Sequence, residues 1–269
     1  TCAFYDLFAP LLPENEDARA DKEWTFEEAQ EYIIQKFSSF SPDFGAFAEQ
    51  AFKNNWIDAE IRTGKVGGAY CIDFPYQKES RVLSNFSGSF SDITTLAHEL
   101  GHAVHSLSAN DKNIFEQQAC LPLAETASTF AEMVLTDFLL KKEPDSEVRR
   151  DLLLKQMDDN YATIQRQAYF ALFEKQAHQI IPQGAGFEEL NQTYKDNLQD
   201  QFGNAFILDE EFQWEWISIP HIYATPFYVY AYSFGQLLVL SLYQKYKEEG
   251  KDFLPKYWQI LSAGGSESP

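Results

Sequence analysis

One stretch, Thr95-Leu96-Ala97-His98-Glu99-Leu100-Gly101-His102-Ala103-Val104, constrains the fold of this chain more than any other. Residues four apart on a helix stand about 40° apart around its axis, one turn along. His98 and His102 can therefore aim both imidazoles at one ion, while Glu99 beside them reaches a water instead. The bland reading is a surface helix with scattered His and Glu. Its neighbours argue otherwise: Leu96, Ala97, Leu100, Gly101, Ala103 and Val104 make an apolar helix. Such a helix would bury two imidazoles and a carboxylate without counter-charge unless a cation were present.

A catalytic zinc takes three protein ligands and keeps one position open. Glu125 lies 125 − 102 = 23 residues past the second His, on the Ala-rich segment LPLAETASTFAEM. Glu132 follows one heptad later on the same face. Two carboxylates on one face of an otherwise apolar helix suggest that one binds the metal and the other orients a His ligand. The alternative is a solvated acidic stripe, against which Ala124, Ala127, Phe130 and Ala131 argue. His105 falls past the site and reads as a packing or surface residue. The implied chemistry is hydrolysis of an amide: Glu99 takes a proton from the water that the metal activates and passes it to the leaving amine. The developing oxyanion needs a further donor. The aromatic segment offers His221, Tyr223, Tyr228 and Tyr230, with Tyr232 behind them, and most of these read as core or groove lining.

The 269 residues carry 21 − 41 = −20 formal charges, a field that repels phosphate backbones and anionic membranes, so no nucleic-acid or membrane partner is expected. Cys2, Cys71 and Cys120 form no CxxC pair and are too few for a disulfide framework, which fits a reducing, cytoplasmic setting. No basic stretch followed by an apolar one is visible at the start. His221 to Tyr243 is long enough to span a bilayer, but Pro226, Gly235 and its Tyr and Ser residues favour a buried helix with a wet face.

The chain reads as mainly α. An extended entry segment is expected around YDLFAPLLP. Thr25 to Phe37 has helical spacing with a Thr25/Glu28 capping box, and a second helix runs from Ser41-Pro42 to about Asn55. Gly64 to Gly68 break the pattern. Arg81 to Phe90 reads as a short strand whose free edge could pair with an extended peptide. Ser91 and Asp92 are the expected cap of the motif helix. Further helices are expected over Leu123 to Leu140, Asp145 to Ile181, Phe187 to Gln201, and from the aromatic segment after Pro220 to Tyr246.

TLAHELGHAVHS, LAETASTFAE and IPHIYATPFYVYAYSFG, in that order, resemble the oligoendopeptidase F branch of the thimet oligopeptidase family of zinc metallopeptidases, over most of the chain. The resemblance implies a zincin-like helical catalytic domain with a small β element before the HExxH helix. It implies one zinc per chain at His98, His102 and Glu125, Glu99 as base, and Glu132 behind the ligands. His221 and Tyr230 would face the substrate and stabilise the oxyanion, with Tyr223 and Tyr228 nearby. The expected activity is endopeptidase cleavage of oligopeptides. A zinc aminopeptidase and a non-catalytic, zinc-holding peptide-binding fragment are the alternatives. Family members are about twice this length. Residues 1–269 are thus expected as a single catalytic domain truncated at both ends, with helices and strand over 1–90, metal-binding helices over 91–140, and a helical channel part over 145–269. Oligomeric state is not legible.

Overall fold

A computed structural model describes residues 2–7 and 23–267. The chain divides into two compact units, one of Thr1–Glu14 and Arg150–Phe234, the other of Asn15–Arg149 and Gly235–Pro269. Both are mostly helical, as the hydrophobic periodicity predicts.

The second unit holds the motif helix. It begins with α1 (Phe26–Phe40) and α2 (Pro42–Lys53). The Thr25/Glu28 capping box is formed in both directions, and the Ser41 hydroxyl accepts from the Phe44 N–H with Pro42 in the first turn. Both devices satisfy backbone donors that a helix start leaves orphaned. A three-stranded sheet follows in the order β2 (Ile57–Asp58), β4 (Glu79–Leu83), β3 (Tyr70–Phe74). β3 and β4 pair antiparallel with Cys71 opposite Val82, and β2 joins β4 in parallel.

The strand expectation is corrected here. β4 covers only the first part of Arg81 to Phe90 and is the middle strand, paired along its length with β3 and at Val82 and Leu83 with β2. The strands without an outer neighbour among the described residues are the two-residue β2 and the five-residue β3, and YCIDF of β3 alternates exposed and half-buried side chains. The motif helix α3 (Phe90–Ser108) also starts earlier than expected. Ser89, not Ser91, is its cap, because Asp92 at the third helical position completes a capping box with it.

α3 is the hub of this unit. It packs against α5 (Thr126–Lys142), α1, α2, the sheet and α11 (Leu254–Ala263). Ile93, Leu96, Leu100 and Val104 from α3 join Phe37, Phe40, Phe44, Phe130 and Tyr257 in one aromatic-rich core. Burying each of these side chains contributes about 1.5–3 kcal/mol, which holds the metal-facing side of α3 in a fixed place. The expected helix over Leu123 to Leu140 is two pieces, α4 (Leu121–Ala124) and α5, broken at Glu125.

The first unit is built on α6 (Ser146–Asn160), whose first residues precede the unit, a π-helical turn (Tyr161–Arg166), α7 (Gln167–Ile180) and α8 (Phe187–Phe202). β5 (Phe206–Ile207) pairs in parallel with β1 (Cys2–Ala3). A 3-10 segment (Glu210–Ser218) and α9 (Pro220–Ala224) lead to α10 (Tyr230–Glu249), which continues into the second unit. Most of the expected extended entry segment, residues 8–13, lies outside the described residues; at its start Phe4–Asp6 form a 3-10 turn with Phe4 buried against Phe202 and Phe212. No helix among the described residues is long and apolar enough to cross a membrane.

Candidate metal centre

His98 and His102 project from one face of α3, and the break between α4 and α5 brings Glu125 to them. The three ligand atoms form a nearly equilateral triangle. His98 Nε2 and His102 Nε2 are 3.2 Å apart, and Glu125 Oε2 is 3.2 Å from the first and 3.4 Å from the second. A tetrahedral ion with ligands at about 2.05 Å spaces them at about 3.3 Å from one another. The donor set therefore fits zinc, and it is the group of His, Cys, Asp and Glu found in metal-holding proximity among the described residues.

The surroundings orient two of the ligands, His98 and Glu125. Glu132, two turns along α5, places Oε1 in a short contact with His98 Nδ1. A carboxylate there accepts from the Nδ1–H, which keeps that proton on Nδ1 and leaves the Nε2 lone pair for a metal. Ser128, fully buried, donates its hydroxyl to Glu125 Oε2 at 2.7 Å, and the Thr129 hydroxyl bonds the Glu125 carbonyl. Burial alone would lower the His98 pKa, but its hydrogen bonds to Glu125 and Glu132 prevail and push it up to about 10. Glu125 moves the opposite way. Burial opposes its ionisation, yet His102 and His98 hold its carboxyl well below the usual carboxylate range. The site is thus a compact cluster of opposite charges that releases protons as a cation enters.

Glu99 is only 6% exposed. Burial pushes its carboxyl pKa up, and the charges of His98 and His102 oppose that rise. A carboxyl with a raised pKa is poised to exchange a proton rather than to remain a fixed anion. β3 runs close by: burial raises the Cys71 thiol pKa, with the charges of Asp73 and Glu99 adding to it.

Of the two readings of His105, packing or surface, its burial decides for packing, and its ring hydrogen-bonds the backbone of Ala124, next to the third ligand. Burial holds its pKa down to about 4, so it is neutral. Gly101, the x-Gly of HELGH, has a packing reason. A Cβ there would lie 2.6 Å from the Ala127 carbonyl oxygen and from Ser128 Cα, so α3 and α5 touch backbone to backbone beside the ligands. Ser128 had no signal beyond its place three residues after Glu125.

The expected substrate residues belong to the first unit. Tyr223 and Tyr230 are about half exposed, and burial raises the Tyr223 pKa. His221 stacks on Tyr228, and its Nε2 is 3.3 Å from the Tyr232 hydroxyl, so these three side chains form one braced cluster.

Residues 25–269 match the model of peptidase family M3. This chain belongs to that family. It is 35% identical over 250 residues to the oligoendopeptidase F homolog of Borreliella burgdorferi, covering 91% of this chain and 42% of that protein. It is 30% identical over 268 residues to the oligopeptidase PepF of Bacillus subtilis, covering 98% and 39%. A solved protein of Chlamydophila abortus, described as a peptidase, superposes on the whole chain and 44% of its own with TM-score 0.83 and 31% identity. The oligoendopeptidase-F of Enterococcus faecium superposes with TM-score 0.64 and 26% identity, over 98% of this chain and 39% of that one. This family M3 chain therefore spans about two fifths of the length of the curated relatives it matches.

Proposed function

We propose that this chain is the zinc-binding catalytic part of an endopeptidase acting on oligopeptides. The observation that carries the reading is the triangle of His98, His102 and Glu125, with edges of 3.2–3.4 Å, beside the buried Glu99. The names of the relatives, oligopeptidase and oligoendopeptidase, support the substrate class. A structural zinc site would fill its four positions from the protein, usually with Cys and His, whereas this donor set leaves one open.

Zinc held by these three residues supplies Lewis acidity, lowering the pKa of water to about 7 and polarising a carbonyl. Glu99 accepts the proton of the attacking water and delivers it to the leaving amine. Glu132 keeps the His98 ring in one tautomer, and Ser128 keeps the Glu125 carboxylate aimed. His221 and Tyr230 are assigned as donors to the oxyanion, with Tyr223 and Tyr228 beside the substrate, on the resemblance of their segment to the family. An extended substrate finds backbone partners along the free edge of β3, which takes the role expected of the 81–90 strand. The three widely separated cysteines, of which Cys71 and Cys120 are free thiols, suit a reducing cytoplasm.

The test is a digest of mixed oligopeptides read by mass spectrometry, with a chelator and Glu99→Gln as controls. Internal cuts that vanish in both controls are expected. Cleavage that requires a free N-terminus would favour the aminopeptidase reading, and peptides bound but never cut would favour a binding role.

A further inference from the structure

The turn between α9 and α10 contains a strained residue with an unusual anchor. Phe227 has φ of +60°, a region that non-glycine residues enter only where the surroundings over-determine them. Two contacts from α7 do so. The Phe227 N–H donates to Glu174 Oε1 at 2.7 Å, and the Phe227 ring lies 4.6 Å from that of His178, one helical turn beyond Glu174. Glu174 is 1% exposed, and a carboxylate is costly to bury for packing alone. Three residues after Phe227 comes Tyr230, half exposed between the fully buried Val229 and Ala231. Six residues before it is His221, braced by Tyr228 and Tyr232.

The far end of the same segment is pinned too. The Ser233 hydroxyl donates to the Ile164 carbonyl at 2.7 Å, inside the π-helical turn. The wider hydrogen-bond pattern of a π turn frees carbonyls for outside donors, and such turns recur near functional sites. The aromatic segment is therefore held at Phe227 and at Ser233, and only the Phe227 anchor depends on a buried ionisable side chain.

We propose that Glu174 is a positioning residue that, through the Phe227 amide, fixes the turn presenting His221 and Tyr230. The proposal rests on the reading of those two residues as facing the substrate. Glu174→Gln keeps an oxygen that accepts from Phe227 N–H. Glu174→Met keeps the volume and cannot accept, and Glu174→Ala makes the same comparison if the Met variant does not fold.

The experiment uses the complete, zinc-loaded protein and reads two quantities. The first is hydrogen exchange of the amides of residues 225–230. It is expected to accelerate at least tenfold in Glu174→Met and to stay within threefold of wild type in Glu174→Gln. The second is steady-state cleavage of an oligopeptide. kcat is expected to fall ten- to a hundredfold in Glu174→Met with KM within threefold, to be restored in Glu174→Gln, and to fall little further when Tyr230→Phe is added. These losses are of the order seen when one donor to an oxyanion is displaced. Unchanged exchange at Phe227 in Glu174→Met overturns the proposal, as does unchanged kcat in Glu174→Met where Tyr230→Phe is impaired. Wild-type kcat in both Tyr230→Phe and His221→Asn overturns the reading beneath it, while the exchange data still decide the anchor.

Discussion

Gly101→Ala adds one methyl where α3 and α5 meet. The new Cβ would stand 2.6 Å from the Ala127 oxygen and from Ser128 Cα, whereas ordinary contact begins at 3.4 Å, so the helices must part by 3.4 − 2.6 = 0.8 Å. Both obstacles are backbone, and no side-chain rotation relieves them. Overpacking of this kind costs about 1–3 kcal/mol. Ser128 holds the Glu125 carboxylate, so a shift of α5 by that amount widens the triangle edges from 3.2–3.4 Å to roughly 4 Å, beyond the ~3.3 Å that a tetrahedral ion sets. Metal sites tolerate about 0.2 Å of error in ligand distance. Zinc affinity is expected to fall about 10- to 100-fold, equivalent to ~1.4–2.7 kcal/mol. The assay is competition for zinc against a chromophoric chelator. Gly235→Ala is the control, because its Cβ would meet Glu125 Cβ at an ordinary 3.4 Å, and it should bind zinc as wild type does. Gly101→Ala binding zinc within twofold of wild type would refute the reasoning.

Glu99→Gln should retain zinc and lose about 10²–10⁴-fold in kcat, as removal of a general base requires, and unchanged turnover would remove Glu99 from the mechanism. Glu132→Gln should weaken zinc binding about 10- to 100-fold by loosening the His98 tautomer, measured by the same competition assay. The zinc-free protein should be most stable near pH 6.5, read from Tm across pH. His105 has its folded pKa depressed to about 4 from 6.5, so the unfolded chain binds the extra proton and stability is lost as pH falls from 6.5 toward 4. His98 has its folded pKa raised from 6.5 to about 10, so its contribution is full below pH 6.5 and is lost as pH rises toward 10. His105→Asn should flatten the acid limb and leave the alkaline one.

Local signals carried much of the fold. The Thr25/Glu28 box and Ser41-Pro42 mark helix starts by chemistry confined to four residues, and both helices form where those signals stand. HELGH and the Glu125/Glu132 heptad are likewise helix-local patterns, and the structure brings the first three of these ligand candidates within 3.4 Å of one another. What escaped depends on distant partners. Strand order is set by pairing between segments, so nothing in RVLSN says that YCIDF will cover its edge. The start of α3 went to Ser89 because two overlapping cap signals compete, and only Ser89 has an acid at the right spacing. The π turn at 161–166 has no composition cue, and the Ser233 hydroxyl that engages it comes from 69 residues away. The sequence left His105 open between packing and surface because the partner that decides it, the Ala124 backbone, is reached only after α4 folds back.

The central claim, that His98, His102 and Glu125 together hold one zinc, is tested most directly by metal content after dialysis against a weak chelator. Wild-type protein should retain one zinc per chain and Glu125→Ala should retain much less, with both folded by circular dichroism. Full retention by Glu125→Ala, or none by the wild type, would contradict the account.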